Sequence, residues 1–174
     1  MCWFYKLNRL QLHLSDDQGV RFPFESVSKA VSAEHYTAEE LAKLNDYCKA
    51  RGIVLVPEID MPGHFTAFAA AYPELFGIRN ERGNTENVMC AKERAFETLQ
   101  RMFAEVVNIF PDSPWIHIGG DEVSTTAAYL NEMIAYVESK GKKAEIWNPI
   151  NGIGQDALNA TLAQMWGTRG YLAS

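Results

Sequence analysis

Five short apolar runs punctuate the chain: Arg9–Leu14, Ile53–Pro57, Trp115–Ile118, Ala144–Trp147 and Thr161–Met165. Their length and their β-branched and aromatic content suit strands. Ile53-Val54-Leu55-Val56 is apolar at every position, the pattern of a strand buried on both faces. Between the runs, apolar residues recur at helical spacing. Over Thr37–Arg51 they are Leu41, Leu44, Tyr47 and Cys48, with Thr37 and Glu40 as a capping box and Gly52 as the stop. Over Lys92–Phe110 they are Ala95, Leu99, Met102, Phe103, Val106 and Phe110, ended by Pro111. Over Thr125–Lys140 they are Leu130, Met133, Ile134 and Val137, closed by Gly141. The alternation predicts parallel βαβ units. Tyr72–Cys90 reads as one long polar loop, and Met1–Asn8 as the end of a helix running into the first strand. Met1 is therefore expected to be an internal residue of a longer protein.

The polar residues fall at a repeated place. Leu12-His13-Leu14 runs into Ser15-Asp16-Asp17, and Leu55-Val56-Pro57 into Glu58-Ile59-Asp60 and then His64. Trp115–Ile118 runs into Gly119-Gly120-Asp121-Glu122. Glu145-Ile146 leads to Trp147-Asn148, and Gln164-Met165 to Trp166. Parallel strands share one direction, so groups at their C-terminal ends converge on one rim, as in a (β/α)₈ barrel. A Rossmann-type sheet also places its sites at strand ends, but no Gly-rich phosphate loop follows any strand, which argues against a nucleotide. A full barrel takes eight strands and about 250 residues. Five strands in 174 residues predict an α/β, TIM-type (β/α)₈ barrel that is incomplete, in one domain over 1–174.

Composition narrows the partners. The formal charge is −6 without a Lys/Arg cluster, a poor match to nucleic acid or anionic membranes. No apolar run approaches the roughly 18–20 residues of a membrane span. Cys2, Cys48 and Cys90 form no metal-type pair, and an odd count completes no disulfide framework. Cys48 reads as a buried helix residue.

The rim gathers Asp16, Asp17, Asp60, Asp121 and Glu122 with His64. Crowded carboxylates raise one another's pKa, so one can stay protonated near neutral pH and act as an acid. Trp147 and Trp166 offer indole faces that suit the C–H face of a sugar ring. Acids, tryptophans and no phosphate loop point to glycoside hydrolysis. Each residue type also has a plainer use. A strand-end Trp packs well in a core, and Asp17 can cap the next turn. His13 and His117 lie within strands and read as core histidines. Adjacent Asp-Glu pairs are common on surfaces; Gly119-Gly120, which permit unusual dihedrals, single this one out.

Three segments carry a resemblance. Leu12-His-Leu-Ser-Asp-Asp-Gln-Gly19, Pro57-Glu-Ile-Asp-Met-Pro-Gly-His64 and His117-Ile-Gly-Gly-Asp-Glu-Val123 are similar to successive motifs of glycoside hydrolase family 20, the β-N-acetylhexosaminidases. The resemblance spans nearly the whole chain, from about the second barrel strand to the sixth. It implies a retaining exo-hydrolase that removes terminal β-linked GlcNAc or GalNAc from a glycan or glycoconjugate, as in chitin or glycan breakdown. The substrate's own acetamido oxygen would attack the anomeric carbon and form an oxazolinium ion, an exception to the two-carboxylate scheme. In this resemblance Glu122 matches the general acid and Asp121 the residue that orients the acetamido group. Asp16 and His64 match a supporting pair, Asp60 a carboxylate that holds a sugar-binding arginine, and Trp147 and Trp166 the walls around the acetamido methyl.

No cofactor or metal is implied, and a secreted, periplasmic or lysosomal setting is. The family's arginine lies upstream of the second strand and its tyrosine downstream of the sixth, so neither falls in this chain; Tyr171 does not align with the latter. The connection from Phe22 to Thr37 is shorter than the family's. The intact enzyme is expected to be active and the isolated segment weak or inactive. Two alternatives stay open. One is a metal-dependent barrel hydrolase built on Asp16, Asp60, His64 and Asp121. The other is a barrel that binds the sugar without turning it over.

Overall fold

The computed structural model describes residues 1–79, 85–86, 92–120, 127–148 and 159–165. In chain order the elements are β1 (Arg9–His13), β2 (Ser15–Asp16), β3 (Gly19–Val20), a 3₁₀ turn (Ser28–Ala30), α1 (Ala38–Lys49), β4 (Val54–Glu58), α2 (Thr66–Ala71), α3 (Pro73–Phe76), β5 (Ile78–Arg79), β6 (Thr85–Glu86), α4 (Lys92–Ile109), β7 (Trp115–His117), α5 (Ala127–Ser139), β8 (Lys143–Asn148) and β9 (Leu162–Met165). Five strands form one parallel sheet in the order β1-β4-β7-β8-β9. Strand order equal to chain order, with a helix between successive strands up to β8, is the winding of a (β/α)₈ barrel. The sheet is five of its eight strands.

The two faces of the sheet differ. One face buries Leu55, Ile116, Ala144 and Ile146 against the helices. Their apolar stripes are Leu41 and Cys48 of α1, Leu99, Met102, Phe103 and Val106 of α4, and Leu130, Met133, Ile134 and Val137 of α5, all buried as the spacing predicted. Burying a side chain of this size stabilises by about 1.5–3 kcal/mol. The other face is the barrel lumen, and it is polar. Arg9, Gln11 and His13 alternate along β1, and Arg9 pairs with Glu145 across the lumen while its guanidinium lies 4.8 Å from the Trp115 ring centroid.

Capping holds where the sequence placed it. The Thr37 hydroxyl accepts from Glu40 N–H at 3.1 Å and Glu40 accepts from Thr37 N–H at 2.8 Å. Other expectations need correction. Tyr47 is exposed, with the Arg51 guanidinium 3.5 Å from its ring centroid. At about 100° per residue it stands about 120° round the helix from Leu41, and Asn45, about 40° round, is buried instead. Tyr72–Cys90 is not one structureless loop: it contains α3 and the antiparallel β5–β6 pair. Met1–Asn8 is a run of turns rather than a helix end, and leaves Trp3, Phe4 and Tyr5 exposed. The short α2 and the β2–β3 hairpin carried too few residues for a period to register.

Candidate active site at the strand ends

The chain after β4 turns back under an aromatic cluster. Phe65 and Phe68 stack at 4.3 Å, Phe76 meets Phe65 edge-on at 5.2 Å, and Phe24 meets Phe68 at 5.9 Å. Edge-to-face pairs of this kind add about 0.5–1.5 kcal/mol beyond their burial. Asp17 accepts from both the N–H and the hydroxyl of Thr66, at 3.1 and 2.6 Å, so its carboxylate caps the first turn of α2. The sequence suggests Asp17 as a cap for the turn that follows it; the helix it caps instead lies 49 residues away. These contacts fix His64, which adopts a left-handed backbone conformation with φ 52°. That conformation costs about 1 kcal/mol for a residue bearing a side chain.

His64 stands between two carboxylates. Its Nδ1 lies 2.8 Å from Asp16 Oδ1 and its Nε2 3.9 Å from Asp60 Oδ2. Asp16 also accepts from the Asp17 N–H at 2.6 Å and, with the Gln18 amide turned to donate, from Gln18 at 2.9 Å. Partial burial resists the Asp16 charge, but the His64 hydrogen bond and the Asp17 N–H outweigh it and hold the carboxyl below its usual range. Asp60 is buried and its Oδ1 accepts from Gly120 N–H at 3.3 Å. The strand ends therefore bring Asp16, Asp60 and His64 into one group, as expected.

A second group lies just beneath. Glu58, at the end of β4 and 1% exposed, receives Gln11 Nε2 at 2.8 Å and His13 Nδ1 at 3.0 Å on one oxygen, and Trp147 Nε1 at 2.7 Å on the other. Burial opposes its ionisation; the His13 hydrogen bond, the nearby His117 and Gln11 together keep it below the ordinary carboxylate range. His13 is not a core histidine: it is exposed at the rim, and it bridges Glu58 and Asp16, with Nε2 3.5 Å from Asp16 Oδ2. The Glu58 hydrogen bond, opposed by desolvation, leads the contributions that raise its pKa.

His117 is a core histidine as read. Burial pushes it down to about 4, so it is neutral at neutral pH despite lying 3.4 Å from Glu58. Its Nδ1 accepts from Gly119 N–H at 3.1 Å. Trp147 is half-buried and packs on His117 with centroids 4.7 Å apart.

Sequence reasoning missed Glu58, Gln11 and His13 as one assembly. The signal was present: a carboxylate continuing a strand that is apolar at each position must find partners, because an unpaired buried charge costs too much. Asp121, Glu122 and Trp166 lie outside the described residues. By donor type, His13–Asp16–His64 and His13–Glu58–Asp60 could each face a metal ion, with ligand atoms within 4.8 Å. Their carboxylates already accept the hydrogen bonds named above.

Parallel strands ending in carboxylates, imidazoles and an indole define the class of barrel proteins that work at the C-terminal rim. The model of the glycosyl hydrolase family 20 catalytic domain matches residues 1–128, and the chain belongs to that family. A β-hexosaminidase of Akkermansia muciniphila is 40% identical over 148 residues, which cover 72% of this chain and 30% of that protein. The solved family 20 β-N-acetylhexosaminidase of Streptomyces coelicolor superposes with TM-score 0.79 at 29% identity, over 95% of this chain and 37% of that one. A mutant Streptomyces plicatus β-hexosaminidase, solved with its product GlcNAc, gives TM-score 0.72 at 29% identity over 83% of this chain and 34% of that one. The chain thus spans about a third of each. Among the described residues no helix is long and apolar enough to cross a membrane.

Proposed function

We propose that residues 1–174 are part of the single catalytic barrel domain of a retaining exo-β-N-acetylhexosaminidase, which releases terminal GlcNAc or GalNAc from a glycan by substrate-assisted catalysis. The observation that carries this reading is the Asp16–His64–Asp60 group, which meets the Gly119-Gly120 turn immediately before Asp121-Glu122 in the chain. Glu122 protonates the leaving oxygen and later takes a proton from the incoming water. Asp121 orients the acetamido N–H and stabilises the positive charge that grows there, while the acetamido oxygen attacks the anomeric carbon. Asp16 and His64 tune the proton held by Glu122. Trp147 and Trp166 wall the acetamido methyl and exclude water that would compete with the internal attack. Asp60, which accepts from Gly120 N–H, takes the part of the carboxylate that steadies a sugar-binding arginine. Membership of the family and the GlcNAc-bound relative support the substrate class.

A thiazoline analogue of the oxazoline tests the mechanism in the full-length protein. It should bind far more tightly than substrate, as intermediate analogues do. Cleavage that proceeds with the thiazoline giving no inhibition would remove the substrate-assisted step.

A further inference from the structure

The Glu58 carboxylate is fixed before it meets the site. Gln11 Nε2 and His13 Nδ1, both from β1, hold one oxygen at 2.8 and 3.0 Å, so the group cannot rotate. Its other oxygen points at the Trp147 indole N–H from β8, at 2.7 Å. The indole is caught on a second side by the His117 ring, whose plane is tilted 59° to it. An indole N–H can donate only one hydrogen bond and only in the ring plane. A fixed acceptor there, with a ring packed on one face, leaves Trp147 one orientation about its side-chain torsions. Register places the three supports side by side: His13 opposite Glu58, and Glu58 opposite His117.

We propose that Glu58 is a positioning residue that sets the angle of the Trp147 indole, and thereby the depth of the pocket that accepts the substrate's N-acyl group. This rests on the reading of Trp147 as a wall of that pocket. Glu58 touches no reacting atom; it acts through the hydrogen bond to the indole. A pocket of set depth discriminates against a longer acyl chain, and one surplus methylene is worth about 10- to 200-fold in kcat/KM.

The test uses the full-length protein and nitrophenyl β-glucosaminides carrying N-acetyl or N-propanoyl groups. The wild-type protein should prefer N-acetyl by on the order of 10²-fold. Glu58→Met, which leaves the indole N–H no acceptor at this position, should bring that preference down to about 10-fold. Because Glu58→Met removes a buried charge and can fail to fold, a second replacement carries the same test. Trp147 replaced by benzothienylalanine keeps the ring size and has sulfur in place of the N–H, and it should loosen the preference to the same extent. Equal losses on both substrates with the preference intact, in either protein, would overturn the positioning role and leave only a structural one. A wild-type protein that shows no preference for N-acetyl would instead overturn the reading of the pocket, and the proposal with it.

Discussion

The Asp60 carboxylate occupies the space that a side chain at position 119 would need. A Cβ added to Gly119 would lie 1.7 Å from Asp60 Oδ1 and 2.7 Å from Asp60 Cα. The same turn is pinned three ways: Gly120 N–H on Asp60, Gly119 N–H on His117, and the Gly119 carbonyl on Trp147 N–H at 2.9 Å. Gly119 also has φ 75°, which side-chain-bearing residues seldom adopt. Gly119→Ala is therefore expected to destabilise by about 2 kcal/mol or more. Activity should fall about 10²-fold or more, since the residues after Gly120 would shift. Denaturant unfolding and kcat/KM measure both.

Asp16→Asn removes the nearer of the two carboxylates that flank His64 while keeping shape. We expect kcat/KM to fall about 10²-fold through misplacement of His64. The folded carboxyl has a lowered pKa, so its stabilising effect is present above the unfolded value of about 3.8 and is lost as pH falls through the folded one. The gap in Tm between wild type and Asp16→Asn should accordingly narrow below pH 3.8. A gap that is unchanged there would show that the charge of Asp16 does not stabilise the fold.

His117 gives a pH dependence of the whole fold. Its folded pKa of about 4 lies below the ordinary 6.5, because burial penalises the charged ring. Stability is full above 6.5 and is lost as pH falls from 6.5 towards 4, by roughly 3 kcal/mol for this one proton. His13 runs the other way: with a raised pKa it stabilises below 6.5, and that contribution fades as pH rises through its folded value. Unfolding free energy measured from pH 7 to 4 should slope downward, and His117→Asn should flatten the slope.

On the proposed mechanism, Glu122→Gln takes away the proton donor. The loss should be large for a sugar leaving group, about 10²–10⁴-fold, and much smaller for nitrophenol, which departs without protonation. Asp121→Asn should lower kcat by about 10²-fold on both, because it disturbs the acetamido group rather than the leaving oxygen. Comparing a chitooligosaccharide with the nitrophenyl glycoside separates the two roles. If a divalent ion did the work instead, a chelator would abolish turnover; we expect the rate to be unchanged.

The helices were legible because their stripes are long. In α4, Ala95, Leu99, Met102, Phe103 and Val106 are all fully buried. The strands were legible because each apolar run ends in an acid or a tryptophan at the same place. Asp16, Asp60 and His64 were found by that regularity, which needs no knowledge of contacts. Glu58 was harder. Its role depends on register, which sets it opposite His13 on one side and His117 on the other, and register cannot be read from one strand at a time. His13 was misread for a related reason: position within a strand does not say which face meets the rim. The α2 start was hidden because its cap, Asp17, comes from another part of the chain.

The most direct measurement is kcat/KM of the full-length protein on nitrophenyl N-acetyl-β-glucosaminide and on the matching β-glucoside, which has a hydroxyl where the acetamido group would be. Internal attack by the acetamido oxygen is worth on the order of 10⁵-fold or more in effective concentration. We expect ready cleavage of the first and essentially none of the second. Comparable rates on both would contradict a reaction that depends on the substrate's own acyl group.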